Sequence, residues 1–469
     1  LNDTNPHALA AFQTIASPIG RDDVSPKRSE DVLAFLVETI VMHKRRFAAE
    51  VKTWGKSARL SPLIFDTGIG ESIQSQYLHQ QADAVSHAAY MEGVQVEKLS
   101  RTHRRWPFYS GLDSAPQLCN DVPWLEHNRT PGKPFLCYET QYGSPSKYRA
   151  EWPLRIAALA SIQDWSAACY HYWTFNHYDF TSGTPYLGPL TRPGPSAVQY
   201  DYAHDEVEFA TMRTAGAIFR HHLITPPAEP TVFRFGRPAL LDPSSMDYAG
   251  AYGRTGLMDM MTTAYTSGMR LVIDPEQKEF LTTTGPVTRF NGFERPSPIT
   301  ATPQIVFDVQ RSCLLFDAPG AASYTGFLQQ WGSERIAFAN GVTLGDIRHA
   351  DPEGTPFPSG DERYCSFALA SEDGLPLAET RRAVLSLVSS SFNTGLTVDR
   401  EKRAFTDWGT TPVLVTRVAA TVTAPALAGA KWRMIDFNER VLAEGMIAAD
   451  GILRIPADQP VFLTELWRD

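Results

Sequence analysis

A chain of 469 residues, 43% of them hydrophobic and 20% charged, exceeds what one compact domain usually holds and can supply two or three cores. Its formal net charge of -9 argues against a nucleic-acid partner, because a phosphate backbone is bound by a basic face. No run of about twenty apolar residues occurs, so no membrane span and no membrane partner are expected.

The chain begins at Leu1 without a signal-peptide pattern, which suggests a processed protein or a piece of a longer one. The first clear element runs from Ser29 to Trp54, where Val32, Leu33, Phe35, Leu36, Ile40, Val41, Phe47 and Val51 repeat at helical spacing. Gly55 follows as the expected C-terminal cap. Leu60 to Phe65 then reads as a short buried strand that leaves into a loop at Asp66-Thr67-Gly68. The alternation goes on with a strand at Ala82 to Tyr90, a loop-rich stretch around Trp106 to Trp124, and a strand at Lys133 to Glu139. A helix from Tyr148 to Ile162, a strand from Ala167 to Phe175 and a helix from Asp205 to Arg220 complete the unit. Strands alternating with helices predict a parallel sheet whose active edge lies at the strand C-termini.

Pro226-Pro227-Ala228-Glu229-Pro230 marks a boundary, since prolines remove backbone donors and resist helix continuation. Residues 226–299 are ambiguous in pattern and are expected to pack on the preceding unit. From about residue 300 short alternating runs recur, at Gln304 to Asp308, Arg382 to Val388, Val413 to Arg417 and Gly451 to Ile455, with turn residues between them. That pattern predicts a β-sandwich over 300–469.

Five cysteines, at positions 119, 137, 169, 313 and 365, show neither Cys-x-x-Cys pairs nor Cys/His clusters, so no metal is expected and free buried thiols are favoured over a disulfide framework. The pair His221-His222 reads as a solvated helix end. Gly68-Ile69-Gly70 lacks a third glycine and the flanking strand and helix of a dinucleotide loop, so no cofactor is expected.

The segment that points to chemistry is Lys133-Pro-Phe-Leu-Cys-Tyr-Glu139-Thr-Gln-Tyr-Gly143, an apolar strand ending in a carboxylate. At a period of two, Phe135, Cys137 and Glu139 share one face, which puts Glu139 at the mouth of an inward-facing column. On the next strand, Cys169-Tyr-His-Tyr-Trp-Thr-Phe175, Trp173 is either an apolar floor for a sugar ring or a core residue.

These segments, with Glu151-Trp-Pro-Leu, Ile162-Gln-Asp-Trp165 and Ala210-Thr-Met-Arg213, resemble strands four to eight of a clan A glycoside hydrolase of the family 5, cellulase-like type. Gly374 to Glu379, Asn393-Thr-Gly395 and Pro412 to Val415 resemble the C-terminal β domain attached to such barrels. The resemblance implies an α/β fold, the C-terminal part of a (β/α)8 TIM barrel over residues 1–225 followed by a β-sandwich domain. It implies a secreted or periplasmic enzyme that cleaves β-linked poly- or oligosaccharides with retention, Glu139 being the nucleophile.

It further implies an Asn-Glu pair at the end of strand four, and here the chain reads Asn2-Asp3. Asn2 would hold the sugar 2-hydroxyl. Asp3 is one methylene short of the expected acid/base, and small displacements at a reacting centre can cost about a hundredfold in rate. Three outcomes stay open for Asp3: the acid/base itself, the mark of a weakened enzyme, or a polar residue with no role.

In strand six the resemblance implies a His-x-Tyr pair. Tyr90 fits as a hydrogen-bond partner of Glu139, while Ala88 takes the histidine position and His87 falls one residue early, on the face towards the helices. Trp106, Tyr109 and Trp124 are either sugar-stacking walls or a cover for the rim. If Asn2-Asp3 ends strand four, three strands lie upstream, and the missing N-terminal segment of the barrel becomes an expected partner beside the carbohydrate. A non-catalytic carbohydrate-binding barrel and a transglycosidase are the competing expectations.

Overall fold

The computed structural model describes residues 25–67, 72–91, 125, 128–142, 148–171, 205–246, 267–287, 299–302, 304–308, 313–328, 335–356, 358, 363–399, 404–407 and 410–469. It is a mixed α/β structure with many strands, among them a large antiparallel sheet.

The first described element is α1 (Pro26–Ser57), which starts where the Ser25 hydroxyl accepts from the Arg28 amide and Pro26 supplies a preset φ at the first helical position. It buries only Ser29, Leu33, Val37, Val41 and Gly55, a stripe narrower than its apolar residues offer. Gly55 is not the cap. The helix runs on to Ser57, and Gly55 lies inside it because an added Cβ would stand 2.5 Å from Cδ of Pro62.

The chain then forms β1 (Phe65–Thr67), α2 (Ile73–His79), β2 (Ala84–Met91), β3 (Phe135–Tyr142), α3 (Trp152–Gln163), β4 (Ala167–Tyr170) and α4 (Glu206–Arg220). The four strands lie in the order β1-β2-β3-β4, every neighbouring pair parallel. Among the described residues this sheet is open, with β1 and β4 at its edges. The run from Leu60 to Phe65 is neither strand nor buried before Phe65; Leu60, Leu63 and Phe65 are exposed, because β1 is short and pairs on one side only. Every residue of α3 is buried, which explains why its sequence, Trp152-Pro-Leu-Arg-Ile-Ala-Ala-Leu-Ala-Ser-Ile-Gln163, has almost no polar face.

Below the N-terminal ends of these strands sits a three-stranded sheet, β5 (Thr231–Gly236), β6 (Met269–Asp274) and β7 (Leu281–Thr284), in the order β6-β5-β7. Glutamines clamp it to the helices: the Gln163 side chain accepts from the Met269 amide at 2.7 Å, and Gln80 both accepts from Ile273 and donates to the Leu271 carbonyl. Phe233, Phe235, Leu271 and Ile273 join the core shared with α1, α3 and α4.

The remaining strands are β8 (Ile299–Thr302), β9 (Ile305–Asp308), β10 (Cys313–Ala318), β11 (Ala321–Phe327), β12 (Ile336–Ala337), β13 (Thr343–Ala350), β14 (Tyr364–Ser371) and β15 (Arg382–Val388). After them come β16 (Ser391–Thr394), β17 (Thr397–Asp399), β18 (Ala404–Asp407), β19 (Thr410–Val415) and β20 (Arg417–Thr423). The last four are β21 (Lys431–Ile435), β22 (Val441–Met446), β23 (Ile452–Ile455) and β24 (Leu463–Trp467). Nine of them form one antiparallel sheet, β22-β21-β24-β15-β14-β11-β10-β9-β8, and four form a second, β12-β13-β20-β23.

Alternation along the strands divides the large sheet between two cores. Cys313, Leu315, Tyr324, Phe367, Leu369, Leu385 and Leu387 pack with Leu344, Val418, Val422 and Leu453 of the four-stranded sheet. Leu314, Phe316, Phe327, Tyr364, Ala368, Val384 and Val388 point the other way, into the core that holds the helices. Buried on both faces, β10, β14 and β15 read as continuous apolar or small-residue runs.

Candidate functional site

Glu139 lies towards the C-terminal end of β3, and a β-bulge decides where its side chain goes. On the β2 side His87 is paired with Cys137 but Ala88 with Glu139, so Tyr138 is an extra residue; the β4 side shows the same slip between Cys137 and Thr140. Residues paired in a parallel ladder share a face, so Cys137 follows His87 and Glu139 follows Ala88 onto the opposite one. The expectation that Phe135, Cys137 and Glu139 share a face is therefore corrected: the inserted residue turns Glu139 over.

Burial agrees with that assignment. Phe135 and Cys137 are fully buried in the helix-side core, Phe135 with its ring 5.0 Å from that of Trp165. The Glu139 side chain is 37% exposed. On β4 the residues facing the helices are Ala168 and Tyr170, the latter donating to the Pro153 carbonyl at 3.3 Å, whereas Cys169 is exposed. His171 follows just past the strand, its amide donating to the Thr140 carbonyl at 3.0 Å. Its Nδ1 stands 3.7 Å from Oε1 of Glu139, with the ring 33% exposed.

Burial holds the His171 imidazole below its usual range, and the neighbouring Glu139 carboxylate only partly opposes this. At neutral pH the His171 imidazole is therefore uncharged. The Tyr138 phenol is raised, by burial first and by Glu139 second, and the Cys137 thiol is pushed above its usual range by burial. Cys137 is thus a protonated core residue and no nucleophile.

Two residues beyond Glu139, Nε2 of the buried Gln141 donates to Oε2 of Glu208 on α4 at 3.1 Å, and Thr140 donates its hydroxyl to the Ala89 carbonyl at 2.8 Å. Glu208 is fully buried, and its carboxyl is raised well above the usual range by that burial and by Asp205, against the pull of Arg149. These bonds fix the C-terminal half of β3 against both β2 and α4.

The chain matches no family model, no curated protein and no solved structure. The site therefore rests on its own geometry.

Of the residues singled out from sequence, Glu139 is partly exposed on the sheet face opposite Cys137, and Tyr90 is paired along the ladder with Gln141, one position beyond Thr140. The side chain of Tyr90, and Asn2, Asp3, Trp106, Tyr109, Trp124 and Trp173 altogether, lie outside the described residues. His87 faces α2, its ring centroid 6.1 Å from that of His79. Among the described residues no group of three or more His, Cys, Asp or Glu could hold a metal ion, and no helix is long and apolar enough to cross a membrane.

His171 was missed in the sequence. The signal was present, because in a parallel sheet of sequential order the residue just past the end of β4 stands beside the end of β3. Locating it needed the bulge, which period-two counting cannot supply.

Proposed function

We propose that this chain carries the C-terminal part of a (β/α)8-barrel retaining glycoside hydrolase, β1 to β4 being its last four strands and the antiparallel sheets a β-sandwich accessory domain. The observation that carries this reading is Glu139: a carboxylate turned by a bulge onto the half-open face of a parallel sheet, near the C-terminal strand ends, which is where barrel enzymes place their catalytic groups. The sequential parallel order β1-β2-β3-β4 and the helices between the strands support the architecture.

In the proposed reaction the Glu139 carboxylate attacks the anomeric carbon of a β-glycoside while the bond to the leaving oxygen breaks. That oxygen takes a proton from a second carboxylic acid, for which Asp3 is the candidate. Water then attacks the glycosyl ester, gives its proton back to the second acid and frees Glu139. An uncharged His171 beside Glu139 makes no charged pair with the attacking group.

The test is to incubate the full-length native protein with 2-fluoro glycosides of β-linked glucose, mannose and xylose and to map any adduct by peptide mass spectrometry. One glycosyl unit on Glu139, absent in Glu139→Gln, is the expected outcome. Labelling elsewhere, or turnover of substrate by Glu139→Gln at the native rate, overturns the assignment. Sugar binding without a covalent adduct would identify a non-catalytic carbohydrate-binding barrel.

A further inference from the structure

Where α4 packs on β14 and β15 of the nine-stranded sheet, a cleft of about 370 Å³ is lined by Arg213, Arg382, Arg433, Arg468, Glu372, Glu465 and Trp467. Four guanidiniums face two carboxylates there, an excess of two positive charges in a chain whose net charge is -9. The internal pairs are already made. Arg213 grips Glu372 through Nε at 2.9 Å and Nη2 at 3.2 Å and reaches Glu465 through Nη1 at 2.6 Å, and Arg433 pairs with the other oxygen of Glu465.

Two cations are left over. Arg468 spends its donors on the carbonyls of Ala378, Thr380 and Ala426, which neutralise none of its charge. Arg382 is exposed, and its guanidinium has no hydrogen-bond or ion-pair partner among the described residues. Arg382 is also the cross-strand neighbour of Trp467, whose ring has the Arg433 guanidinium 5.9 Å from its centroid. A planar fork with unused donors beside an indole suits a carboxylate carried on a ring: the guanidinium takes both oxygens and the ring lies on the indole.

We propose that this cleft binds a carboxylate-bearing pyranose, a uronic acid unit, with Arg382 holding the carboxylate and Trp467 the sugar ring. The carboxylate half of this inference stands on the charge count alone; the choice of a sugar ring rests on the carbohydrate reading given above. The volume is within the range of small-ligand pockets and fits one or two sugar units.

Isothermal titration of the full-length protein with glucuronate, galacturonate, glucose and inorganic phosphate, at low and moderate salt, is the test. Expected are saturable binding of a uronate, glucose weaker by at least tenfold, and a further loss of at least tenfold in Arg382→Gln and in Trp467→Leu. Arg382 has no structural partner, so its replacement should leave the melting temperature unchanged, and a lost signal then reports the site. Glu139→Gln should bind uronate as the native protein does, which separates this cleft from the barrel site. Binding of glucose as tight as of uronate, tighter binding of phosphate, or unchanged binding by Arg382→Gln overturns the proposal.

Discussion

At the scale of single residues, two buried acid–base groups set how the fold responds to pH. The His79 imidazole, buried between α2 and β2, is lowered to about 3 by burial, with His87 and Lys44 adding to the effect. It is neutral when folded and takes up a proton readily only when unfolded. Stability is therefore complete above the ordinary histidine pKa of about 6.5 and is lost as pH falls from there towards 3, by at most on the order of 5 kcal/mol. His79→Gln should flatten the urea midpoint between pH 6.5 and 4; an unchanged slope would mean that another group governs acid unfolding. Glu208 works in the opposite direction. Its folded carboxyl is raised, so stability falls as pH climbs through the interval above the usual carboxylate range, and Glu208→Gln should be more stable than the native chain at pH 8. The same replacement keeps an amide beside Gln141, so it should leave β3 in place.

At the scale of elements, α4 joins the parallel sheet to the antiparallel half. Asp205 caps it, accepting from the Glu208 amide at 3.3 Å, and is at the same time the buried ion-pair partner of Arg149. Arg149 also donates from Nη2 to the carbonyl and the hydroxyl of Ser391, so a single guanidinium ties the α3 entry, the α4 cap and β16. Along the helix, Thr214 meets Ser386 of β15 at 3.0 Å, Arg213 holds Glu372 and Glu465, and Arg417 holds Glu206. Removing one partner of a buried pair leaves an uncompensated charge, at a cost of about 3–5 kcal/mol. Arg149→Met should lower the unfolding free energy by that amount, and the two halves should still melt in one transition because the Phe209, Phe437 and Phe462 ring cluster remains. A loss under 1 kcal/mol would show that the pair is dispensable.

For the whole molecule the telling feature is an uncovered apolar surface. Phe35, Leu36, Ile40, Met42, Phe47 and Trp54 of α1 are exposed, Phe35 at 67% and Trp54 at 63%, and Leu60, Leu63 and Phe65 extend the patch to the free edge of β1. The described residues contain only four other exposed large hydrophobics, at 246, 375, 441 and 446. Among the described residues β1 pairs on one side only, and such an edge beside an exposed helix face accepts another strand and helix of the same kind, as the proposed barrel requires. The chain should therefore self-associate in light scattering. Phe35→Glu with Met42→Glu should restore a monomer. A native chain that stays monomeric and binds no apolar dye would show the surface to be covered already.

Much of this was legible along the chain. Helical spacing marked α1, α3 and α4, and Arg382 to Val388 coincided with β15. Periodicity reports which way a side chain points only while the ladder stays regular. It failed at Tyr138, where one added residue reversed Glu139, and at Gly55, where the reason for glycine was Pro62 rather than a helix end. It was silent on β14, whose residues are buried on both faces and so carry no alternation. The sequence by itself determined the helices α1, α3 and α4 and a carboxylate in the second half of a buried strand, because these depend on neighbours along the chain. Only the tertiary structure decided which face that carboxylate takes, that His171 stands beside it and that the α1 surface is left open, because each depends on contacts between segments that the linear pattern does not encode.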